Sequence, residues 1–213
     1  MHKHGLRLWD QVFGRRRRAE ARATLQHAKQ FLTPGRTALD IGCGVGYALD
    51  VLERDFGCIA SGCDVVQPPV SIERFALFDG RSLPYEDKSF DVAILIFVLH
   101  HADDPGVLLR EASRVARYAV IVVEDTPQTK IEQHWGSMHV HSFNTRHNIP
   151  WIGRVREDRE WRQVFQFVGM PVQHAERLGR FERLPPVTRT CFVLGPIEAA
   201  AAARASAARI ATS

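Results

Sequence analysis

Leu39-Asp40-Ile41-Gly42-Cys43-Gly44-Val45-Gly46 is an apolar run that carries an acid near its end and then places three glycines at alternate positions. A helical pattern, Tyr47 to Arg54, follows directly. Glycine adopts backbone angles closed to other residues and lets another group approach the main chain. The stretch therefore reads as a buried strand that turns sharply into a helix while leaving room for a ligand. The first turn of that helix presents free N–H groups to a charged or polar ligand.

Working outward, the pattern alternates strand and helix. Residues 37–41, 58–63, 75–78, 90–97 and 118–123 read as strands, and 19–32, 45–55 and 105–115 as helices. The fourth strand, Asp91-Val92-Ala93-Ile94-Leu95-Ile96-Phe97, is almost continuously apolar, as in a parallel strand covered on both faces. Asp103 or Asp104 stands where it can cap the next helix. A helix over 156–167 and strands over 172–177 and 188–194 complete the pattern. The fold class is α/β, a doubly wound, mostly parallel seven-stranded sheet. Pro68-Pro69 lies between the second and third strands and forbids an ordinary helix there. That helix is expected to be shortened or missing, which opens one face of the sheet to a partner or a bulky substrate.

Composition narrows the class. The 213 residues are 45% hydrophobic and 24% charged, enough for one domain with a real core. Cys43, Cys58, Cys63 and Cys191 form no close C-x-x-C pair and read as free buried thiols. No apolar run is long enough to span a membrane, and no signal-peptide pattern opens the chain, so the expected location is cytoplasmic. The net charge of +4 is concentrated in Arg15-Arg16-Arg17-Arg18. That cluster reads as a solvated N-terminal arm, since it lacks the interleaved aromatics of a nucleic-acid stacking platform. Trp9 and Phe13, four apart, can pack a short helix onto the domain or over a ligand cleft. The expected organisation is an arm and helix over 1–34, a main domain over 35–195 and an alanine-rich tail over 196–213.

Acids close the strands. Asp40 precedes the glycines, where a carboxylate repels a pyrophosphate but suits an ammonium group. Asp64 ends the second strand, where it can accept from both ribose hydroxyls. Phe78-Asp79-Gly80 is followed by Leu83-Pro84-Tyr85-Glu86-Asp87-Lys88-Ser89-Phe90-Asp91, and Val98-Leu99-His100-His101 follows the fourth strand. In this order and spacing the segments resemble the class I S-adenosylmethionine-dependent methyltransferases, with the D/E-x-G-x-G-x-G and G-D-x-x-x-L-P-F-x-D-x-S-F-D motifs. The likeness covers roughly residues 35–125 and is nearest to the type 11 group of small-molecule methyltransferases.

The resemblance implies a Rossmann-like methyltransferase fold and S-adenosyl-L-methionine as cofactor. It implies cofactor contacts at Asp40, Gly42, Cys43, Gly44, Gly46, Asp64, Asp79, Gly80 and Ile96. Asp79 would meet the adenine amine, and Ile96 would meet the methionine portion through its backbone. Methyl transfer needs a base only for an acceptor that starts protonated. His100, His101 and His139 are the candidates for base or acceptor contact. Residues 126–151 hold His134, Trp135, Met138, His139, His141, Phe143, His147 and Trp151 after the fifth strand, and read as an acceptor-side lid. Histidines there do not complete a metal-ligand spacing, so no metal is expected. The expected partner is a small-molecule methyl acceptor, on a monomer or homodimer with no membrane association. No N-P-P-Y-type motif follows the fourth strand, which argues against a nucleic-acid substrate. The alternatives are a tRNA or protein methyltransferase, and a non-catalytic S-adenosylmethionine-binding protein.

Overall fold

The computed structural model describes residues 14–147, 155–180 and 187–196. Its elements are α1 (Arg15–Gln26), β1 (Thr37–Ile41), α2 (Tyr47–Phe56), β2 (Ile59–Asp64), β3 (Phe75–Leu77) and β4 (Phe90–Ile96). There follow α3 (Pro105–Val115), β5 (Ala116–Asp125), α4 (Lys130–His147), α5 (Asp158–Phe167), β6 (Val172–Arg180) and β7 (Thr188–Leu194). Short 3-10 turns lie at Lys29–Phe31 and Leu99–His101. The sheet has seven strands in the order β3-β2-β1-β4-β5-β7-β6. The first five run parallel, and β7 is antiparallel to both β5 and β6.

Side-chain alternation divides the core in two. Leu39, Ile41, Ala93, Leu95, Val120 and Val122 point to one face, where α3 and α5 supply Leu109, Ala112, Trp161 and Phe165. Ala38, Val92, Ile94, Ala119, Ile121 and Val123 point to the other, where α1 and α2 supply Leu25, Leu49 and Leu52, and the turn after α1 adds Ala28. Sequence order reverses between β1 and β4, so the crevice at their carboxyl ends is the ligand position of a doubly wound sheet. Asp104 caps α3, accepting from the amides of Gly106 at 2.7 Å and Val107 at 3.2 Å.

No helix forms between Asp64 and Phe75, as Pro68-Pro69 predicts. The segment runs as bends and leaves Val65, Val66 and Val70 exposed. Two sequence expectations need correction, the bounds of the first helix and the free arginine arm. The first helix begins at Arg15, four residues early, and ends at Gln26. The arginine cluster is therefore its opening turn, not a free arm: Arg18 Nε donates to Asp50 at 2.6 Å and stacks over Tyr47. The stretch read only as a lid contains an 18-residue helix, α4. Trp9, Phe13, Trp151 and residues 197–213 lie outside the described residues.

Candidate functional site

The glycine turn is built by backbone geometry. Gly42, Gly44 and Gly46 have φ of 75°, 54° and 83°, a region that penalises any Cβ. At Gly42 a Cβ would also lie 2.5 Å from a Val98 methyl, so the loop is pressed against the end of β4. At Gly44 the same position faces open space. Gly42 and Cys43 donate their amides to the Cys63 carbonyl, at 2.8 and 3.1 Å, which ties the turn to β2. The start of α2 at Gly46 receives no side-chain cap.

Beside this turn a cavity of ≈ 290 Å³ opens. Gly44, Val45 and Asp64 line one side, Val65 to Pro69 a second, and Phe97, Val98 and His101 a third. The Asp64 carboxylate accepts from the Gly44 amide at 2.8 Å and from the Val66 amide at 3.2 Å. It is thus held at the cavity rim with acceptor capacity to spare. Asp40 lies behind it, 3% exposed. Burial, and then repulsion from Asp64, push its carboxyl up to about 8. A cation brought to this corner would favour the ionised acid. Open space at Gly44, uncapped amides, a rim carboxylate and a buried acid together fit an ammonium-bearing nucleoside.

The end of β4 supplies the opposite wall. Phe97 holds a left-handed φ of 58°, strained for an aromatic residue. His101 lines the cavity, whereas His100 turns inward and is 4% exposed. The His100 Nδ1 lies 2.5 Å from Glu124 Oε2, and the other Glu124 oxygen accepts from the Leu99 amide at 2.8 Å. Burial pulls the His100 pKa down, but the charge and hydrogen bond of Glu124, with Asp125 beyond, outweigh it and leave it raised. His100 is thus an internal partner of Glu124, and His101 is the member of the pair that lines the cavity.

The other expected residues lie on the glycine turn and the end of β2, in the loop after β3, at the end of β4 and on α4. Gly44 and Asp64 line the cavity; Gly42, Cys43 and Gly46 shape the turn behind it. Asp79 sits in the loop after β3 and accepts from the amides of Arg81 and Ser82, at 2.8 and 2.7 Å, which keep its carboxyl below the usual range. Gly80 brings that loop toward Val65. The Ile96 side chain packs into the core on the α1–α2 face, and its neighbours Phe97 and Val98 line the cavity. His139 lies on α4, and its side chain is outside the described residues.

Sequence reasoning passed over Phe97, the Val65–Pro69 wall and the buried charges around Arg189. An apolar strand end carries no sign of its wall function, and Pro68-Pro69 was legible only as a helix breaker. A second hollow of ≈ 350 Å³ lies across the glycine turn, between α2, β2 and residues 70–74. It lies beside the segment where the helix is absent, and its charges are paired as Arg18–Asp50, Arg74–Glu53 and Arg74–Glu73.

A sheet of this order, with a glycine turn and a rim acid at its switch point, is a doubly wound α/β domain with a ligand crevice of Rossmann-like type. Residues 39–123 match the family model of a methyltransferase domain. Over those residues the chain is similar to the class I S-adenosylmethionine-dependent methyltransferases of type 11, a group whose cofactor is S-adenosylmethionine. Among curated proteins it is 32% identical to a 2-methyl-6-phytyl-1,4-hydroquinone methyltransferase of Synechocystis, over 46% of this chain and 34% of that protein. It is 35% identical to a probable tRNA methyltransferase 9B of Bos taurus, over 43% of this chain and 21% of that protein. The chain thus spans about a third or less of the length of these relatives.

Solved structures share the fold at lower identity. The [4+2]-cyclase SpnF superposes with a TM-score of 0.63 at 18% identity, over 82% of this chain and 80% of that one. A geranyl diphosphate methyltransferase in complex with S-adenosylmethionine gives 0.59 at 16%, over 84% and 85%.

Proposed function

We propose that the protein transfers a methyl group from S-adenosylmethionine to an O, N or C atom of a small, largely apolar acceptor. The observation that carries this reading is the cavity itself. Its walls are mostly apolar, from Val45, Val65, Val66, Pro68, Pro69, Phe97 and Val98, and its polar side chains are the rim acid Asp64, Gln67 and His101. The helix α4 packs against the Leu99–His101 turn. It leaves Ile131, Trp135 and Met138 exposed at helical spacing, an apolar strip suited to an acceptor of the same character. The hydroquinone substrate in the name of one relative agrees with this class. Four buried free thiols suit a reducing, cytoplasmic setting.

When bound, the cofactor supplies an electrophilic methyl on a sulfonium sulfur. Asp64 would accept from the ribose hydroxyls, and the first amides of α2 would meet the polar end of the ligand. Asp40, ionised by a nearby ammonium group, would hold it in the corner behind the glycine turn. His101 Nδ1 or Nε2 would accept the acceptor's proton where the acceptor begins as a hydroxyl or ammonium. Phe97, Val98 and α4 would exclude water from the reacting centre.

A screen of small metabolites, read as release of S-adenosylhomocysteine, tests the reading. Turnover of an apolar small molecule is expected. Methylation confined to tRNA would favour the reading suggested by the tRNA methyltransferase relative instead. Cofactor binding with no transfer to any class would assign the chain a non-methylating use of the fold, on which SpnF is a cyclase.

A further inference from the structure

Arg189 is a buried cation that the proposed chemistry does not use. It stands at the start of β7 and is 4% exposed. Its Nε donates to Asp125 Oδ1 at 3.1 Å, and its Nη1 donates to Glu20 Oε1 at 2.6 Å. Asp125 ends β5, and Glu20 lies in the middle of α1. The guanidinium also lies over the Phe97 ring, 4.4 Å from its centre. One planar group therefore touches an acid on the sheet, an acid on the N-terminal helix and the aromatic wall of the cavity.

This arrangement has a consequence at the cavity. Phe97 occupies a backbone region that an aromatic residue leaves unless it is held. Its amide is fixed to the Val123 carbonyl at 2.9 Å, and the Arg189 cation lies against its ring. A lysine would supply the charge but not a rigid fork that reaches two carboxylates and still lies flat on a ring. Neither Glu20 nor Arg189 lines the cavity among the described residues.

We propose that Arg189 is a positioning residue of the cofactor cavity: bridged between Asp125 and Glu20, it holds Phe97 as the cavity wall and couples cofactor binding to the docking of α1. Any such coupling is reciprocal, so a bound cofactor also tightens α1. The inference rests on the cofactor reading of the cavity and is independent of the acceptor's identity.

Calorimetry with S-adenosylhomocysteine tests it on the full chain. Arg189→Met should weaken binding by at least about fivefold, the low end of typical couplings. Arg189→Lys should fall between it and the parent. Glu20→Ala, remote from the cavity, should also weaken binding, and should add nothing in the Arg189→Met background. Arg22→Gln is the control: it breaks another tie of α1, the pair with Asp55 at 2.7 Å, and should leave affinity unchanged. Hydrogen exchange in α1 should slow with bound S-adenosylhomocysteine in the parent and not in Arg189→Met. If Arg189→Met does not fold, Arg189→Lys and Glu20→Ala carry the test. Affinity within twofold of the parent for Glu20→Ala, or simple additivity of the two changes, would overturn the coupling. Equal losses for Arg22→Gln would reduce it to general stability. A parent that binds no S-adenosylhomocysteine would overturn the cofactor reading, and this proposal with it.

Discussion

Asp64 already has a partner before any ligand arrives, since one of its oxygens accepts from the Gly44 amide. The carboxylate is therefore oriented in advance, and a ribose hydroxyl finds it in place. Asp64→Ala should weaken S-adenosylhomocysteine binding by about 1.5–3 kcal/mol, the range for hydrogen bonds to a charged group. Calorimetry showing less than a threefold change would remove Asp64 from the site. The glycines separate two effects. Gly42→Ala would drive a methyl into Val98 and should lower thermal stability first. Gly44→Ala meets no atom, yet its methyl and its φ of 54° fall at the cavity. It should cost more in cofactor affinity than in melting temperature, and the reverse order would mean that Gly44 serves only the turn.

At the scale of elements, residues with one strong local reason were legible and residues with a distant reason were not. The strand into the glycine turn, the broken link after β2 and the Asp104 cap each announce themselves within a few residues. Helix α4 did not, because its apolar residues fall on several sides. Val140 and Gly136 face inward, whereas Ile131, Trp135 and Met138 face out. Glu132 is buried too, held by the amides of Gln128 and Thr188, both at 3.1 Å, so a charge marks the inner face. Arg189 was hidden for a related reason: its partners Glu20 and Asp125 are far away in sequence and meet it only when the sheet closes. The exposed strip on α4 gives a prediction at this scale. Trp135→Ala should lower kcat/KM for the acceptor by about tenfold or more while leaving S-adenosylhomocysteine affinity unchanged, the pattern of a lost acceptor contact. Loss of thermal stability alone, with turnover intact, would make the strip part of the packing.

At the scale of the whole molecule, Asp40, Asp125 and His100 share one direction. Burial raises Asp40 to about 8, and burial also raises Asp125 despite the nearby Arg189. His100 is raised too, burial being outweighed by Glu124. Each of these groups holds its proton more tightly in the folded chain than in the unfolded one. Between the unfolded and folded values the native state binds more protons, so unfolding free energy falls as pH rises. For Asp40 that window runs from the ordinary carboxylate range to about 8, and for His100 it begins near the ordinary histidine value and extends above it. Asp91 and Glu111 act oppositely. Asp91 is lowered by its bonds to Thr37 and Arg117 against its burial, and Glu111 chiefly by Arg114. Their stabilisation is present above the unfolded carboxylate range and is lost as pH falls below it. The empty protein should therefore be most stable in mildly acidic solution and lose stability, on the order of a few kcal/mol, toward pH 8. Urea unfolding from pH 4 to 9 measures this directly. Asp40→Asn should flatten most of the alkaline limb, because the amide has no proton to lose. Saturating S-adenosylhomocysteine should flatten it as well, since its ammonium favours the ionised acid. A limb that persists unchanged in Asp40→Asn would place the titration on His100, and Glu124→Gln, which removes the charge facing that ring, would then be the variant that abolishes it.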